Sequence, residues 1–388
     1  MNTIYLDYAA TTPLDERVLE VMLPYMTQNF GNASSAHHFG QKAKVMVEEA
    51  REKVASLINA EPSEIIFTSG GTESDNAAIR GLMAASPEKN VLVTSPIEHH
   101  AVLTPVESAD SNEWSHVFVQ PDDTGIITPE SLNEVLHEKT ALVSLMHVNN
   151  ELGTLNNIEA LAHIAHTHDI PFHTDAVQSL GKIPLDVKKL DIDILSGSAH
   201  KIYGPKGVGL MYVKNGSEWK PLLIGGSQER RRRGGTTNVP GVIGFARALE
   251  LAVSEMDKNL EHYRTLREIL FRELSDKLKA CNWFINGNED QRVPHILNIA
   301  FLNDEGKGID GEMLLLNLDI EGICVSNGSA CTSGAVEPSH VLLGMGLSEE
   351  RAMSSIRISF GKDTSEKEVV LFVERLNNVL TRMFDLVS

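Results

Sequence analysis

Ser196-Gly197-Ser198-Ala199-His200-Lys201, running on into Ile202-Tyr203-Gly204-Pro205-Lys206-Gly207, is the stretch from which the rest of the chain can be read. An apolar segment, Leu190 to Leu195, interrupted only by Asp191 and Asp193, leads into it. Such a run closed by small residues reads as a buried strand ending in a loop. A lysine at the mouth of that loop stands at the C-terminal edge of a sheet, where open α/β sheets receive ligands. Partly desolvated there, an amine holds its proton less tightly and becomes available as nucleophile or base. Ser198 and His200 beside it are polar contacts suited to an anion. The same residues also describe a solvated turn with a surface lysine, which is where most lysines are found. The stretch by itself leaves both readings open.

Working outward, the flanking pattern alternates. Short apolar runs at Glu64 to Thr68, Asn90 to Thr94, Trp114 to Val119, Ala141 to His147, Pro171 to Thr174, Ile192 to Leu195 and Val208 to Val213 read as strands. Helical periodicity appears over Asp15 to Met26, Gln41 to Asn59, from Ser74 to about Ala85, after His100, over Pro129 to Glu138 and over Ile158 to His168. Strands alternating with helices of this length predict an α/β fold with a large, doubly wound, mainly parallel sheet. After about Gly241 the organisation changes. One long helical region is expected from Val242 to Lys279. Strands follow near Ile296 to Phe301, Gly322 to Val325 and Ser355 to Ser359, with a final helix from Ser365 to about Leu386. This reads as a smaller α+β domain. The division is placed at residues 14–257 for the large domain and 258–388 for the small one, to which the family resemblance set out below adds residues 1–13.

The 388 residues suit such a two-part arrangement. A net charge of −19, from 34 basic and 53 acidic residues, argues against a general nucleic-acid binder, whose affinity comes from neutralising phosphates. The run Arg230-Arg231-Arg232-Arg233 is a local exception, read as a dimer-interface or solvated loop. No apolar run reaches the roughly 18 residues of a membrane span, and the N-terminus lacks the basic start and apolar core of a signal peptide. A cytoplasmic protein without membrane contact is therefore expected. Three cysteines with no CxxC pair predict neither a disulfide framework nor a thiolate metal site, so no metal is expected.

Several constellations carry chemistry, each with an ordinary structural alternative. Ser69-Gly70-Gly71-Thr72-Glu73 is a glycine-rich turn entering a helix, hence an anion site made of free N–H groups. Equally, it is an ordinary helix start capped by Ser69 or Thr72. Asp175 closes an apolar strand and needs a positive partner there. A protonated pyridine nitrogen would serve, keeping a pyridine ring an electron sink, as in pyridoxal phosphate (PLP) held by Lys201 as a Schiff base. The alternative is an N-cap aspartate. His147-Val148-Asn149-Asn150-Glu151 ends a strand in polar residues that contact a ligand or simply turn the chain. His99 and His100 follow another strand, and one of them is placed to stack on a planar ring. Ser326 to Gly334 sets Cys331 in a small-residue loop, where an exposed thiol can be a nucleophile. Cys324 reads as a buried core thiol. Arg357 sits inside a strand, as a clamp on a carboxylate ligand or as half of an internal salt bridge.

Taken in order, Tyr5-Leu-Asp-Tyr-Ala-Ala-Thr-Thr-Pro13, Thr68-Ser-Gly-Gly-Thr-Glu-Ser74, Glu98-His99, His147-Val-Asn-Asn-Glu151, Asp175-Ala-Val-Gln178, His200-Lys201, Gly328-Ser-Ala-Cys331 and Ser355-Ile-Arg357 resemble the cysteine desulfurases of the NifS/IscS type, a class V aminotransferase-like family. The resemblance runs from residue 4 to about residue 380. It implies a PLP-dependent, fold-type I homodimer. Such an enzyme turns L-cysteine into L-alanine and passes the sulfur, as a persulfide, to an acceptor protein in iron–sulfur cluster assembly or tRNA thiolation. By position it implies Lys201 as the cofactor anchor, Asp175 at the pyridine nitrogen, and His99 stacked on the ring and acting in catalysis. Gln178 and Asn150 fall on the ring-hydroxyl side, and Gly71, Thr72, Ser198 and His200 at the phosphate. Thr236 is matched to the residue that reaches the partner subunit's cofactor. Arg357, with Asn150, is implied in substrate binding and Cys331 as the sulfur acceptor. The loop around Cys331 resembles the long-loop class of the family. Selenocysteine lyase, a class V aminotransferase and a non-catalytic sulfur-assembly scaffold are the alternative activities on the same fold.

Overall fold

The computed structural model describes residues 3–108, 114–328 and 337–387. The chain opens with β1 (Ile4–Tyr5). The strands β2 (Ile65–Thr68), β3 (Val91–Thr94), β4 (Ser115–Phe118), β5 (Thr140–Ser144), β6 (Phe172–Asp175), β7 (Ile194–Ser198) and β8 (Gly209–Val213) follow, then β9 (Asn282–Asn286), β10 (Ile296–Leu302), β11 (Ile323–Cys324) and β12 (Ser355–Ser359). Strands β2 to β8 form one seven-stranded sheet in the order β2-β8-β7-β6-β5-β3-β4. Only β8 runs against the others, pairing antiparallel with both β2 and β7. The remaining pairs are parallel. Most of these strands are buried along their whole length, so they are near-continuous Val, Ile and Leu runs without polar alternation.

The strand order creates a crevice. From β3 the chain moves outward to β4, and then returns to place β5 on the other side of β3. At such a reversal the loops leaving the two strands diverge, and the C-terminal edge opens for a ligand. The segments following β2, β3, β5, β6 and β7 all emerge at this edge. A core of Val93, Val143, Phe172, Leu195, Leu210, Phe245 and their neighbours locks the sheet to its helices.

The second cluster is separate. Strand β10 lies between β9 and β12 in an antiparallel sheet. The helices Met256–Lys277 and Glu366–Val387 pack together over it and close a core around Leu270, Leu297, Phe301, Phe372 and Leu376. The N-terminus joins this cluster. Strand β1 pairs with β11, Asp7 bridges to Ser359, and Ile4 and Leu6 lie in the same core.

Four expectations are corrected. The strand expected over Ile192 to Leu195 is Ile194–Ser198 and carries the small residues the sequence assigned to a loop. The preceding residues turn instead: Asp191 is left-handed, at φ 49°, and the Asp193 carboxylate accepts from the Phe172 amide at 2.8 Å. Gly197 fits in the strand because a Cβ there would lie 2.6 Å from Leu180 Cδ2. The long helix expected over Val242 to Lys279 is two helices, Val239–Ser254 and Met256–Lys277. They break at Glu255, whose carboxylate is held by Arg17 at 2.6 Å. Helical periodicity continues through a break that has no glycine or proline, so the sequence carries no stop signal there. Strand β9 and the helices Gly311–Ile320, His340–Gly344 and Glu349–Met353 were not expected. Cys324 is half-buried rather than a core thiol, on the two-residue strand β11.

Candidate active site

The crevice is a cleft of about 400 Å³ at the C-terminal edge of the large sheet. Its floor is built by adjacency. Strands β6 and β7 pair with Asp175 opposite Ser196, which sets the Asp175 carboxylate beside the turn Ala199–Lys201. The Lys201 amine donates to the Ala9 carbonyl at 2.6 Å and the Ala10 carbonyl at 2.7 Å. Burial, and then the charge of Arg357, lowers its pKa to about 8. Asp175 accepts from the Val177 amide at 2.8 Å, an Asx-type turn at the strand end. Burial raises its pKa, and Lys201 opposes that rise.

The walls come from four more segments. Helix Gly71–Ala85 begins at Gly70 with no side-chain cap, so neither Ser69 nor Thr72 caps it and its first amides are open to the cleft. The helix start also needs Gly71, where a Cβ would lie 2.7 Å from Val177 Cγ2. Ser198 Oγ is buried beside it with no partner among the described residues. His200 bonds Thr11 through Nδ1 at 3.1 Å, and burial with the charge of Lys201 pushes its pKa down to about 4.

His99 stands at the start of helix His100–Glu107, where its Nδ1 accepts from the Ala101 amide at 3.0 Å. That contact assigns the proton of the neutral ring to Nε2. Its ring faces the open cleft, but the surrounding walls and then Lys201 lower its pKa to about 4, so it is neutral at physiological pH. Asn150 and Gln178 also line the cleft. Asn150 Oδ1 has no partner among the described residues, while Gln178 Nε2 donates to the Ala9 carbonyl at 2.9 Å. Arg357 is reached from β12. One nitrogen pairs with Asp7 at 2.8 Å, another with the Asn150 carbonyl at 3.1 Å, and Nε is left without a partner in the cleft. It is thus the internal salt bridge, a buried cation in the cleft wall with one N–H still unpartnered among the described residues.

Ten of the residues singled out in the sequence therefore line one cleft: Gly71, Thr72, His99, Asn150, Asp175, Gln178, Ser198, His200, Lys201 and Arg357. Thr236 does not; it lies in an exposed loop away from this lining. Cys331 falls outside the described residues, although Ser326 and Gly328, shortly before it, stand in the cleft wall. The two described cysteines are unsuited to a thiolate role. Burial pushes the Cys281 thiol up to about 12 and raises that of Cys324 as well.

Other residues in the cleft, and Glu98 behind it, were given no role from sequence. Ala9 and Ala10 act through backbone carbonyls, which no side-chain pattern reports. Asp75 lies one turn into helix Gly71–Ala85, fully buried 3.6 Å from His173; burial and the nearby Asp175 raise its pKa. Glu98 and Glu151 stand inside motifs quoted above, and burial raises the pKa of both. Glu151 holds the Ser339 hydroxyl at 2.5 Å, just after the Cys331 segment. Three residues of the arginine run are paired within the chain. Arg233 grips Glu73 at 2.8 and 3.0 Å, Arg230 pairs with Glu48, and Arg232 donates to the Ser63 carbonyl.

This donor set fits PLP. It offers an amine of lowered pKa, a carboxylate short of a cation, an open helix start with an unpartnered hydroxyl for a phosphate, and a flat neutral imidazole. No cluster suited to a metal ion exists among the described residues, and none of their helices is long and apolar enough to cross a membrane.

Comparison with known proteins agrees. Residues 4–372 match the family described as Aminotransferase class-V. A protein named cysteine desulfurase IscS, from Dictyoglomus turgidum, is 45% identical over 381 residues, covering 98% of this chain and 95% of its own. A solved structure described as a NIFS-like protein superposes with a TM-score of 0.90 at 38% identity, covering 98% of this chain and 100% of that one. Another, described as SspA in complex with cysteine, gives 0.80 at 38% identity over 92% of this chain and 99% of its own. PLP is the cofactor of this family. The chain belongs to the class-V aminotransferases, among the cysteine desulfurases of the NifS/IscS type.

Proposed function

We propose that this chain is a PLP-dependent cysteine desulfurase that converts L-cysteine to L-alanine and keeps the sulfur as a persulfide on Cys331 for transfer to an acceptor protein. The observation that carries the reading is the meeting of the Lys201 amine, Asp175 and Arg357 in one cleft whose wall includes Ser326 and Gly328, shortly before Cys331. Lys201 would anchor the cofactor, Asp175 would keep the pyridine nitrogen protonated, and Gly71, Thr72, Ser198 and His200 would hold the phosphate. When bound, PLP supplies an electron sink for the pair released at the substrate Cα.

The chain's own residues do the rest. Arg357, in the cleft wall, would bind the substrate carboxylate, while its pairing with Asp7 fixes the guanidinium plane. Asn150 presents an unpartnered amide oxygen beside it. The neutral Lys201 amine takes the Cα proton, and its lowered pKa makes that exchange accessible near neutral pH. The Cys331 thiolate attacks the substrate sulfur. A sulfur–sulfur bond forms, the Cβ–S bond breaks with its electron pair left on carbon, that carbon takes a proton, and Cα regains the proton it gave up. Lys201 and the Nε2–H of His99 are the donors at hand. The products are alanine and a Cys331 persulfide that carries the substrate thiol hydrogen.

The division at residues 14–257 and at 1–13 with 258–388 is part of the same proposal, supported by the two separate apolar cores. We assign a homodimer as well. Phe30 is 71% and Ile224 91% exposed, and Leu23, Met26 and Val45 also face outward. An apolar surface of this kind marks an interface. Thr236, exposed in its loop, is available to a partner subunit's cleft.

The test is Cys331→Ser. The purified variant keeps the visible cofactor band and releases no sulfide from cysteine, whereas the parent does both. Full sulfide release by the variant would overturn the reading.

A further inference from the structure

Lys182 is assigned no role by the reading above, yet it reaches the centre of the site. It lies four residues beyond Gln178 and lines a small cavity of about 40 Å³ on the far side of Lys201. Its amine donates to Gln178 Oε1 at 3.1 Å. Gln178, 4% exposed, passes the contact on, with Nε2 donating to the Ala9 carbonyl at 2.9 Å. That carbonyl is also the one that receives the Lys201 amine at 2.6 Å. The four groups form a single line, Lys182 to Gln178 to Ala9 to Lys201.

The direction of each bond is set by chemistry. The Ala9 carbonyl is acceptor only, so the nitrogen of the Gln178 amide must face it, and the amide oxygen then faces Lys182. A donor on the oxygen of an amide polarises it and strengthens its N–H as a donor in turn. The Ala9 carbonyl is therefore shared between Gln178 and Lys201, and the stronger the Gln178 bond, the less of that carbonyl is left for an ammonium.

We infer that Lys182 is a positioning residue for Lys201: acting through Gln178, it keeps the Ala9 carbonyl partly occupied, so that the Lys201 amine is docked in place without being locked there as a cation. This rests on the reading of Lys201 as the cofactor anchor. The groups that face the Lys201 amine are the Ala9 and Ala10 carbonyls and, among titratable or charged side chains, Asp175, Asp7, Arg357, His99, His200 and Lys182. Asp175 and Asp7 favour its charged form and Arg357 opposes it. Lys182 feels the Lys201 and Arg357 charges in turn, and burial together with them lowers its pKa to about 7.

The experiment follows cofactor capture by the apoenzyme as a function of pH, read by the growth of the visible band with PLP as the probe. The parent's capture rate rises with pH and levels near the Lys201 pKa. Lys182→Met is expected to move that midpoint upward by about one pH unit, and Gln178→Ala to move it by a similar amount. The double variant tests the route. If Lys182 acts through Gln178, the double variant moves no further than Gln178→Ala alone. If the two shifts add, Lys182 acts through its charge only, and the positioning role is overturned; an unmoved midpoint in Lys182→Met overturns it too. Where Lys182→Met does not fold, judged by apoenzyme melting, Lys182→Ala takes its place in the same cycle. Failure of the underlying reading looks different: Lys201→Ala would then still form the visible band.

Discussion

Arg51 and Lys201 are both cations drawn away from solvent, and their surroundings could hardly differ more. Arg51 makes two bonds to the Glu229 carboxylate at 2.7 and 2.9 Å, a third to the Ile65 carbonyl at 2.8 Å and a fourth to Glu48 at 3.2 Å. Glu229 is satisfied further by the Phe67 amide at 3.1 Å. Burial works to lower the Arg51 pKa, but Glu229 outweighs it and the net shift is upward. Lys201 has two backbone carbonyls and no carboxylate in contact, and its pKa falls. Around it Asn150 Oδ1, Ser198 Oγ, Glu151 Oε1 and Arg357 Nε lack partners among the described residues. The Arg51 charge, which serves the fold, is fully paired. The Lys201 amine is left short of partners, as a group that is to meet a cofactor and substrate would be.

The largest effect is expected at Arg51. Arg51→Met leaves the Glu229 carboxylate buried and unpaired, and releases the left-handed residues Glu229, Arg230 and Arg231 that the pair holds in place. Stability should fall by about 3–5 kcal/mol in urea unfolding, while the folded fraction still binds PLP. A loss below about 1 kcal/mol would show that the pair is not structural.

The next largest is expected at Lys201. Below about pH 8 the amine of the folded apoenzyme carries its proton and does not attack. The neutral fraction, and with it the rate of PLP capture, should rise about tenfold per pH unit up to that point and level above it. An ordinary lysine would keep the rate rising to about 10.4. A profile that climbs past pH 9 would show that burial does not lower the pKa.

The smallest effect is expected at Ser198. Because its hydroxyl is buried without a partner, Ser198→Ala should leave apoenzyme stability unchanged or raise it by up to about 1 kcal/mol. PLP affinity should drop about tenfold through loss of one hydrogen bond to the phosphate. Equal loss of stability and affinity would mean that the hydroxyl supports the fold.

Much of the fold was legible because the buried strands of a parallel sheet are continuous apolar runs. Val91 to Thr94 and Gly209–Val213 announce themselves. The helix break at Glu255 did not, since no glycine or proline marks it; Arg17, more than 200 residues away in the chain, pairs with Glu255 there. Nor did the shift of β7 onto Ser196 to Ser198, where close approach by Leu180, not hydrophobicity, favours the glycine. Of the candidate site, Lys201, Asp175, His99 and Arg357, whose side chains line the cleft, stood in recognisable motifs. Ala9 and Ala10 act through carbonyls and left no mark. Asp75 and Lys182 were hidden because a carboxylate or an amine in a helical or turn segment reads as solvated until its neighbours are known.

The amino-acid sequence determined the alternation of strands and helices, the family and the chemical kinds of group available, because these depend on local periodicity and on ordered motifs. Only the tertiary structure decided that Asp175 lies beside the turn bearing Lys201, that the N-terminal carbonyls dock the lysine amine, and that three residues of the arginine run pair with Glu48, Glu73 and the Ser63 carbonyl. The physical reason is that strand order and burial set which charges meet and how much water they keep. A lysine that its own stretch left undecided became an amine titrating near 8 through residues that lie far from it in the chain.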